Sequence, residues 1–205
     1  MINYIQSKVK SLKCGKDHFK SILILTKIIE LFPEYEIAWL ERAKFYNSFK
    51  YYEQSIKDST KILEQFNNNS ADAYLVRGVS YFGLKKYYLA LDDFHQNLKL
   101  KPNNNFSGLV HMSLVYFKLE NYEKSLEFTQ ECLKLFPNCM KLMFNLGVIY
   151  IKMDYFVRAI KIFTKLMNYS YKNVFSGFFI SYQANKLRNE ALSRFTNKQC
   201  GFCIT

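Results

Sequence analysis

Along this chain apolar residues recur at spacings of three and four, the period of amphipathic helices, with polar side chains between them. In ADAYLVRGVSYFG, Tyr74, Gly78 and Tyr81 fall on one helical ridge, and in the following KYYLALDDFHQNLKL, Ala90, Phe94 and Leu98 fall on another. Two such faces must meet, which predicts a helix pair. Gly78 and Ala90 are small where the two backbones approach, and the aromatics fill the space toward the neighbouring pair.

The pair repeats. KYYLALDDFHQNLKLKP ends at Pro102, NYEKSLEFTQECLKLFP at Pro137 and DHFKSILILTKIIELFP at Pro33, so all three prolines of the protein occupy one position of a unit. Extending that register places units at 2–35, 36–69, 71–104, 106–139 and 140–173, with a degenerate sixth at 172–205. The small residue of the second helix is then Ser21, Ser55, Ala90, Ser125, Ala159 and Ala191. Ala and Ser make up 23 of 205 residues, so six such coincidences by chance are on the order of one in a million. Each proline stops a second helix, and the asparagines 67–69 and 103–105 supply turns between units.

This register resembles the tetratricopeptide repeat family. The resemblance rests on Trp39, Ala43, Tyr46 and Ser55 in the second unit, on Tyr74, Gly78, Tyr81, Ala90, Phe94 and Pro102 in the third, and on Leu146, Gly147, Tyr150, Ala159 and Phe163 in the fifth. Tyrosine recurs at one first-helix position as Tyr46, Tyr81, Tyr116, Tyr150 and Tyr182, with Leu12 in the first unit. Ser59 and Thr129 replace the family's second-helix aromatic, Asn67 and Tyr171 its proline, and Phe179 stands where a small residue belongs. A pentatricopeptide repeat has nearly the same period, but the Gly, Ala and Pro positions favour the former. The resemblance implies an all-α fold, a right-handed superhelical solenoid of about six helix-turn-helix repeats forming a single domain over residues 1–205.

Both ends have the polar outer faces a solenoid needs at its limits, and the domain is expected to be complete. Ile2, Ile5, Val9 and Leu12 make one narrow apolar stripe, and Leu187, Ala191, Leu192 and Phe195 another. With no signal-peptide core and no apolar stretch long enough to span a bilayer, a cytoplasmic protein is expected. Five widely spaced cysteines do not form the framework of a small secreted domain, so reduced thiols are expected.

Family resemblance further implies that first helices line a concave groove in which ligands lie. The register assigns to it Leu75, Val79 and Phe82, then Val110, Leu114 and Phe117, then Phe144, Val148 and Ile151, an apolar strip suited to a partner's amphipathic helix or extended apolar segment. Burial of the strip within the fold itself is the competing explanation. Co-chaperones of this family clamp a carboxylate tail with Lys, Asn and Arg on three successive first helices. Here the corresponding faces carry Gln6 and Lys10, then Leu40, Glu41 and Lys44, then Asp72, Leu75 and Val76, so no binding of a chaperone tail by this mode is expected.

Charge adds a rival. The net charge of +12 is concentrated in residues 140–205, where ten basic side chains face two acidic ones. These include Lys161, Lys165 and Arg188, and attraction of nucleic acid by this basic third is the alternative function. It is the less favoured one, because lysine on solvated helix faces is an ordinary feature of so Asn-, Lys- and Ile-rich a chain, and no RNA-recognition signature accompanies it. Catalysis finds no footing. His18, His95 and His111 fall on different repeats without triad or metal-site partners and are assigned to the surface or groove, and Cys200 with Cys203 forms a C-x-x-C with no second pair. The sequence thus predicts a non-catalytic scaffold or adaptor with a protein partner, and no cofactor or metal.

Overall fold

The computed structural model describes residues 18–66, 69–102, 105–172 and 178–202, with side chains described for 19–66, 69–102, 105–168 and 182–196. Among them are ten α-helices: α1 (His18–Leu31), α2 (Glu36–Ser48), α3 (Tyr52–Gln65), α4 (Ala71–Gly83), α5 (Tyr87–Leu100), α6 (Phe106–Lys118), α7 (Tyr122–Leu135), α8 (Met140–Lys152), α9 (Phe156–Lys172) and α10 (Phe178–Phe202). Helices α2 to α9 form four antiparallel pairs at the register the sequence predicts for units two to five. The stripe from Ile2 to Leu12 lies outside the described residues. The chain forms two compact units, residues 1–111 and 112–205, whose boundary falls inside α6.

Among the described residues the four within-pair turns from α2 to α9 are built alike, and the recurrent tyrosine explains how. After α2 the N–H of Tyr51 donates to the Tyr46 carbonyl (2.9 Å) and that of Lys50 to Asn47 (2.9 Å), the two bonds of a Schellman motif. The same bonds run from Lys86 to Tyr81 (2.8 Å), from Asn121 to Tyr116 (3.0 Å) and from Tyr155 to Tyr150 (2.8 Å). The tyrosine is therefore the residue whose carbonyl closes the turn. Its ring also meets the far side of the turn, with Tyr46 and Tyr51 centroids 6.4 Å apart and Tyr150 and Tyr155 likewise 6.4 Å. The motif requires one left-handed residue, which here is never glycine: Lys50 (φ 64), Lys85 (φ 61), Glu120 (φ 59) and Asp154 (φ 60). A Cβ in that region costs about 1 kcal/mol, partly cancelled by the larger unfolded-state entropy of glycine. Lys50→Gly, Lys85→Gly and Glu120→Gly are each expected to stabilise by about 0.5 kcal/mol, seen as additive rises in thermal midpoint; a fall in each variant would contradict the account.

Close packing within each pair has two solutions. At Gly78 and at Gly147 an added Cβ would sit 2.7 Å from the Phe94 ring and 2.5 Å from the Phe163 ring, sixteen residues onward in each case. Units two and four place Ala43 opposite Ser59 and Ser113 opposite Thr129 at the same sixteen-residue offset, so the residue facing the glycine position shrinks where that position carries a side chain. Ser113 and Thr129 are joined by a 2.6 Å hydrogen bond. The expected reason for glycine, contact between two backbones, is thus corrected: it is the aromatic ring that needs the space. Backbone proximity is real at the other small position, where Ser55 Oγ donates to the Ala43 carbonyl (2.9 Å) and Ser125 Oγ to that of Ser113 (2.9 Å).

In the compact unit of residues 1–111, Trp39 touches two clusters, one around Leu25, Ile28 and Ile29 and one around Ile62, Leu63 and Ala73, so it ties successive repeats together. Asn47 adds a polar tie, donating to the Val76 carbonyl (3.1 Å) and to Ser80 Oγ (3.0 Å). In the second unit Met143, Leu146, Tyr150, Phe163 and Leu166 form a core completed by Ala184 and Ala191 of α10.

The sixth unit departs from expectation. Residues 178–202 form one continuous 25-residue helix rather than a helix-turn-helix. Tyr182, at the turn-closing position elsewhere, is 63% exposed. Ala184, Leu187, Ala191 and Phe195 make an unbroken stripe against the core, so continuing the helix buries more than turning would. Leu192, expected in that stripe, is instead 40% exposed.

Candidate functional site

A cavity of about 230 Å³ opens between α6 and α8 in the second unit. Its apolar walls are Leu114 and Phe117 from α6 and Phe144, Val148 and Ile149 from α8. Ser113, Ser125, Asn145 and Lys118 supply its polar atoms. Four of the sequence-predicted groove residues, Leu114, Phe117, Phe144 and Val148, are thereby brought around one space. They come together because α6 and α8 are both first helices, placed side by side with the second helix α7 between them in sequence.

The remaining assignments divide. Leu75, Val79 and Phe82 on α4 and Val110 on α6 are half-buried and lie in the first unit. Phe82 leans on Tyr87, with centroids 5.8 Å apart, as Phe117 does on Tyr122 at 5.6 Å. Ile151 is a correction: at 6% exposure it belongs to the core that α10 closes and does not line the cavity. Ser113, Lys118, Asn145 and Ile149, which do, were not singled out in the sequence, although each lies within one helical turn of a residue that was.

The floor of the cavity is hydroxyl-rich but already engaged. Ser113 Oγ lies 2.6 Å from Thr129 Oγ1, Thr129 donates to the Ser125 carbonyl (2.8 Å), and Ser125 donates to that of Ser113. The rings are committed as well, since Phe144 packs edge-on against Phe163 at 5.9 Å. What the cavity offers a guest is therefore chiefly apolar contact.

Polar chemistry in the first unit is structural. Arg42 grips Asp58 through two bonds of 2.7 and 2.9 Å and reaches Thr26 Oγ1 (3.1 Å) on the preceding repeat. One repeat on, Arg77 holds Asp93 at 2.8 and 2.7 Å and reaches Thr60 Oγ1 (3.3 Å). Burial raises the Asp58 and Asp93 carboxyls above the ordinary range against the opposing pull of their arginines, while both guanidiniums, though desolvated, are held more firmly protonated by their carboxylates. No sequence expectation covered these pairs, although Arg42 and Arg77, and Asp58 and Asp93, recur 35 residues apart. Glu41, on a face where a clamp would place its cations, is buried and meets Lys44 at 2.9 Å.

The histidines and cysteines separate similarly. His95 is exposed as expected, but His111 is half-buried and stacked on Phe94 at 5.3 Å, and loss of water pushes its pKa down. The His18 side chain and Cys14, Cys200 and Cys203 lie outside the residues whose side chains are described. Cys132 is fully buried; burial, then the neighbouring Glu131 and Cys139, push its thiol up to about 12. At pH 8 the reactive thiolate is then on the order of one part in ten thousand. With the other four cysteines changed to serine, native Cys132 is expected to react with a disulfide reagent at least a hundredfold more slowly than in denaturant. Comparable rates would contradict its burial. Among the described residues no group of three or more His, Cys, Asp or Glu is placed to hold a metal ion, and no helix is long and apolar enough to cross a membrane.

Lys161 and Lys165 are exposed on α9 and Arg188 is half-buried on α10. Arg158, beside them in sequence, covers the rings of Tyr150 (6.0 Å) and Tyr155 (5.2 Å).

Comparison with known proteins agrees with the register. Residues 71–104 and 107–139 each match the tetratricopeptide repeat family. A crystal structure of MamA is similar over 80% of this chain and 88% of its own, with 19% identity and a TM-score of 0.68. YrrB, described as a TPR protein with an unusual peptide-binding site, is similar over 82% of this chain and 87% of its own, with 23% identity and a TM-score of 0.62. A thermophilic TPR protein of Thermus thermophilus is similar over 88% of this chain and 95% of its own, with 12% identity and a TM-score of 0.68. No curated protein matches the chain. The chain is a tetratricopeptide repeat protein with an all-α helical-repeat fold. Such repeats mediate protein–protein interactions, and the family is one of scaffolds, typically non-catalytic.

Proposed function

We propose that this protein is a non-catalytic adaptor that holds an apolar segment, a peptide or a helix, of a partner protein in the cavity between α6 and α8. The observation that carries this reading is the convergence of Leu114, Phe117, Phe144 and Val148 on one open apolar space. At about 230 Å³ it is smaller than the pockets of roughly 300–1,000 Å³ that enclose drug-sized ligands or cofactors. It is larger than the roughly 150 Å³ apolar cavity that accepts benzene, and so suits one bulky side chain. YrrB, of the same fold, has a peptide-binding site, which makes a peptide guest a reasonable analogy.

Leu114 is the residue to change, because it lines the cavity without being among the partly buried residues packed on the second unit's core. Leu114→Asp puts a carboxylate into an apolar wall and is expected to weaken partner capture by at least tenfold. Affinity capture with wild type and variant side by side, read by mass spectrometry, tests this. An unchanged captured set, with the variant's melting curve intact, would remove the groove from the function. Salt-dependent RNA retention that is lost on charge reversal at Lys161, Lys165 and Arg188 would favour the nucleic-acid alternative.

A further inference from the structure

We propose that the segment received by the α6–α8 cavity is acidic, a bulky apolar residue flanked on both sides by Asp or Glu; this rests on the groove reading above and adds the partner's charge. On α8, Lys141, Phe144, Asn145, Val148 and Lys152 fall on one face, because eleven residues are just over three whole turns. The face that supplies the cavity wall therefore carries an exposed lysine toward each end, about 16 Å apart along the helix. Lys118, at the end of α6, is itself part of the cavity lining. Among the described residues none of these three lysines has an ion-pair partner, whereas Arg42 and Arg77 of the first unit are both neutralised.

Carboxylates are kept off this face. The acidic side chains described in the second unit are Glu120, Glu123, Glu127, Glu131, Asp154 and Glu190. They sit on within-pair turns, on α7 and on α10, and neither the 112–118 part of α6 nor any of α8 has one. A patch with three unpaired cations, no anion and an apolar centre attracts carboxylates at its rim and an apolar side chain at its middle. A nucleic acid fits less well, since base stacking needs a free aromatic face and the Phe117 and Phe144 rings are each engaged by another ring.

The test is fluorescence anisotropy with blocked nine-residue peptides, so that no terminal carboxylate contributes. One carries Phe-Leu flanked by Asp and Glu, a second the same centre flanked by Lys, a third the acidic flanks around Ser-Ser, and a 12-mer of uridine is the fourth probe. The acidic Phe-Leu peptide is expected to bind at least tenfold more tightly than either other peptide. It is expected to lose at least tenfold on combining Lys118→Gln, Lys141→Gln and Lys152→Gln, all at exposed positions whose change leaves the melting curve in place. If acidic and basic Phe-Leu peptides bind equally and both are lost on Leu114→Asp, the charge assignment is overturned while the groove stands. If the acidic peptide binds as well to Leu114→Asp as to wild type, the groove itself is overturned. Tighter binding of the uridine 12-mer, lost in the lysine variant, overturns the peptide assignment in favour of RNA.

Discussion

Removing one carboxylate, Asp93→Ala, is expected to cost about 3–5 kcal/mol of stability. Asp93 is 3% exposed and takes both arms of the Arg77 guanidinium. Without it the cation stays half-buried between α4 and α5 with the long 3.3 Å bond to Thr60 and the ring of Tyr74, 5.5 Å away, to replace the lost carboxylate. At about 2–4 °C per kcal/mol for a chain of this size, the midpoint should fall by roughly 10 °C. Asp58→Ala should behave alike, because Arg42 is its repeat equivalent. The decisive comparison is the double variant Arg77→Met with Asp93→Leu. Removing both charges avoids the unpaired cation, so the double variant should melt above Asp93→Ala. A single variant that melts like wild type would show that the pair does not hold the repeat.

The second large effect concerns the glycine and the ring that faces it. Phe94→Ser should cost about 3–5 kcal/mol, since Phe94 is fully buried and its removal leaves a cavity above Gly78. Gly78→Ala alone should cost about 1–3 kcal/mol through collision with that ring, the reverse of the gain of about 1 kcal/mol that alanine gives in an unobstructed helix. Together the two changes recreate the Ala43 and Ser59 pairing of the second repeat. The double variant should therefore be more stable than the sum of the single effects by at least about 1 kcal/mol, measured by chemical denaturation. Strict additivity would mean that the two packing solutions are unrelated.

The alternation between these solutions was visible as a departure of Ser59 and Thr129 from the family pattern, but its meaning was not. A list of substitutions gives volumes one at a time, whereas compensation requires knowing that a residue and the one sixteen further on share a space. The Arg and Asp pairs were hidden for the same reason. Two charges of opposite sign sixteen residues apart are unremarkable in a helical chain until the turn brings α4 against α5.

The candidate site was legible in part. First-helix positions could be assigned from the register, and Leu114, Phe117, Phe144 and Val148 do surround one cavity. Ile151 occupies the position equivalent to Phe117, yet it is buried in the core to which α10 contributes Ala184 and Ala191. Nothing local to Ile151 announces that neighbour.

Amino-acid order alone therefore determined the helices, the pairing and the repeat of units two to five, since the period of apolar positions and the placement of Ser, Ala and Pro are properties of the chain itself. Tertiary structure decided which small residue faces a ring and which a backbone, which charges neutralise each other, and which apolar side chains remain open to a guest. Those outcomes depend on what lies across a helix interface, and contact between distant residues is fixed only when the rods are laid side by side.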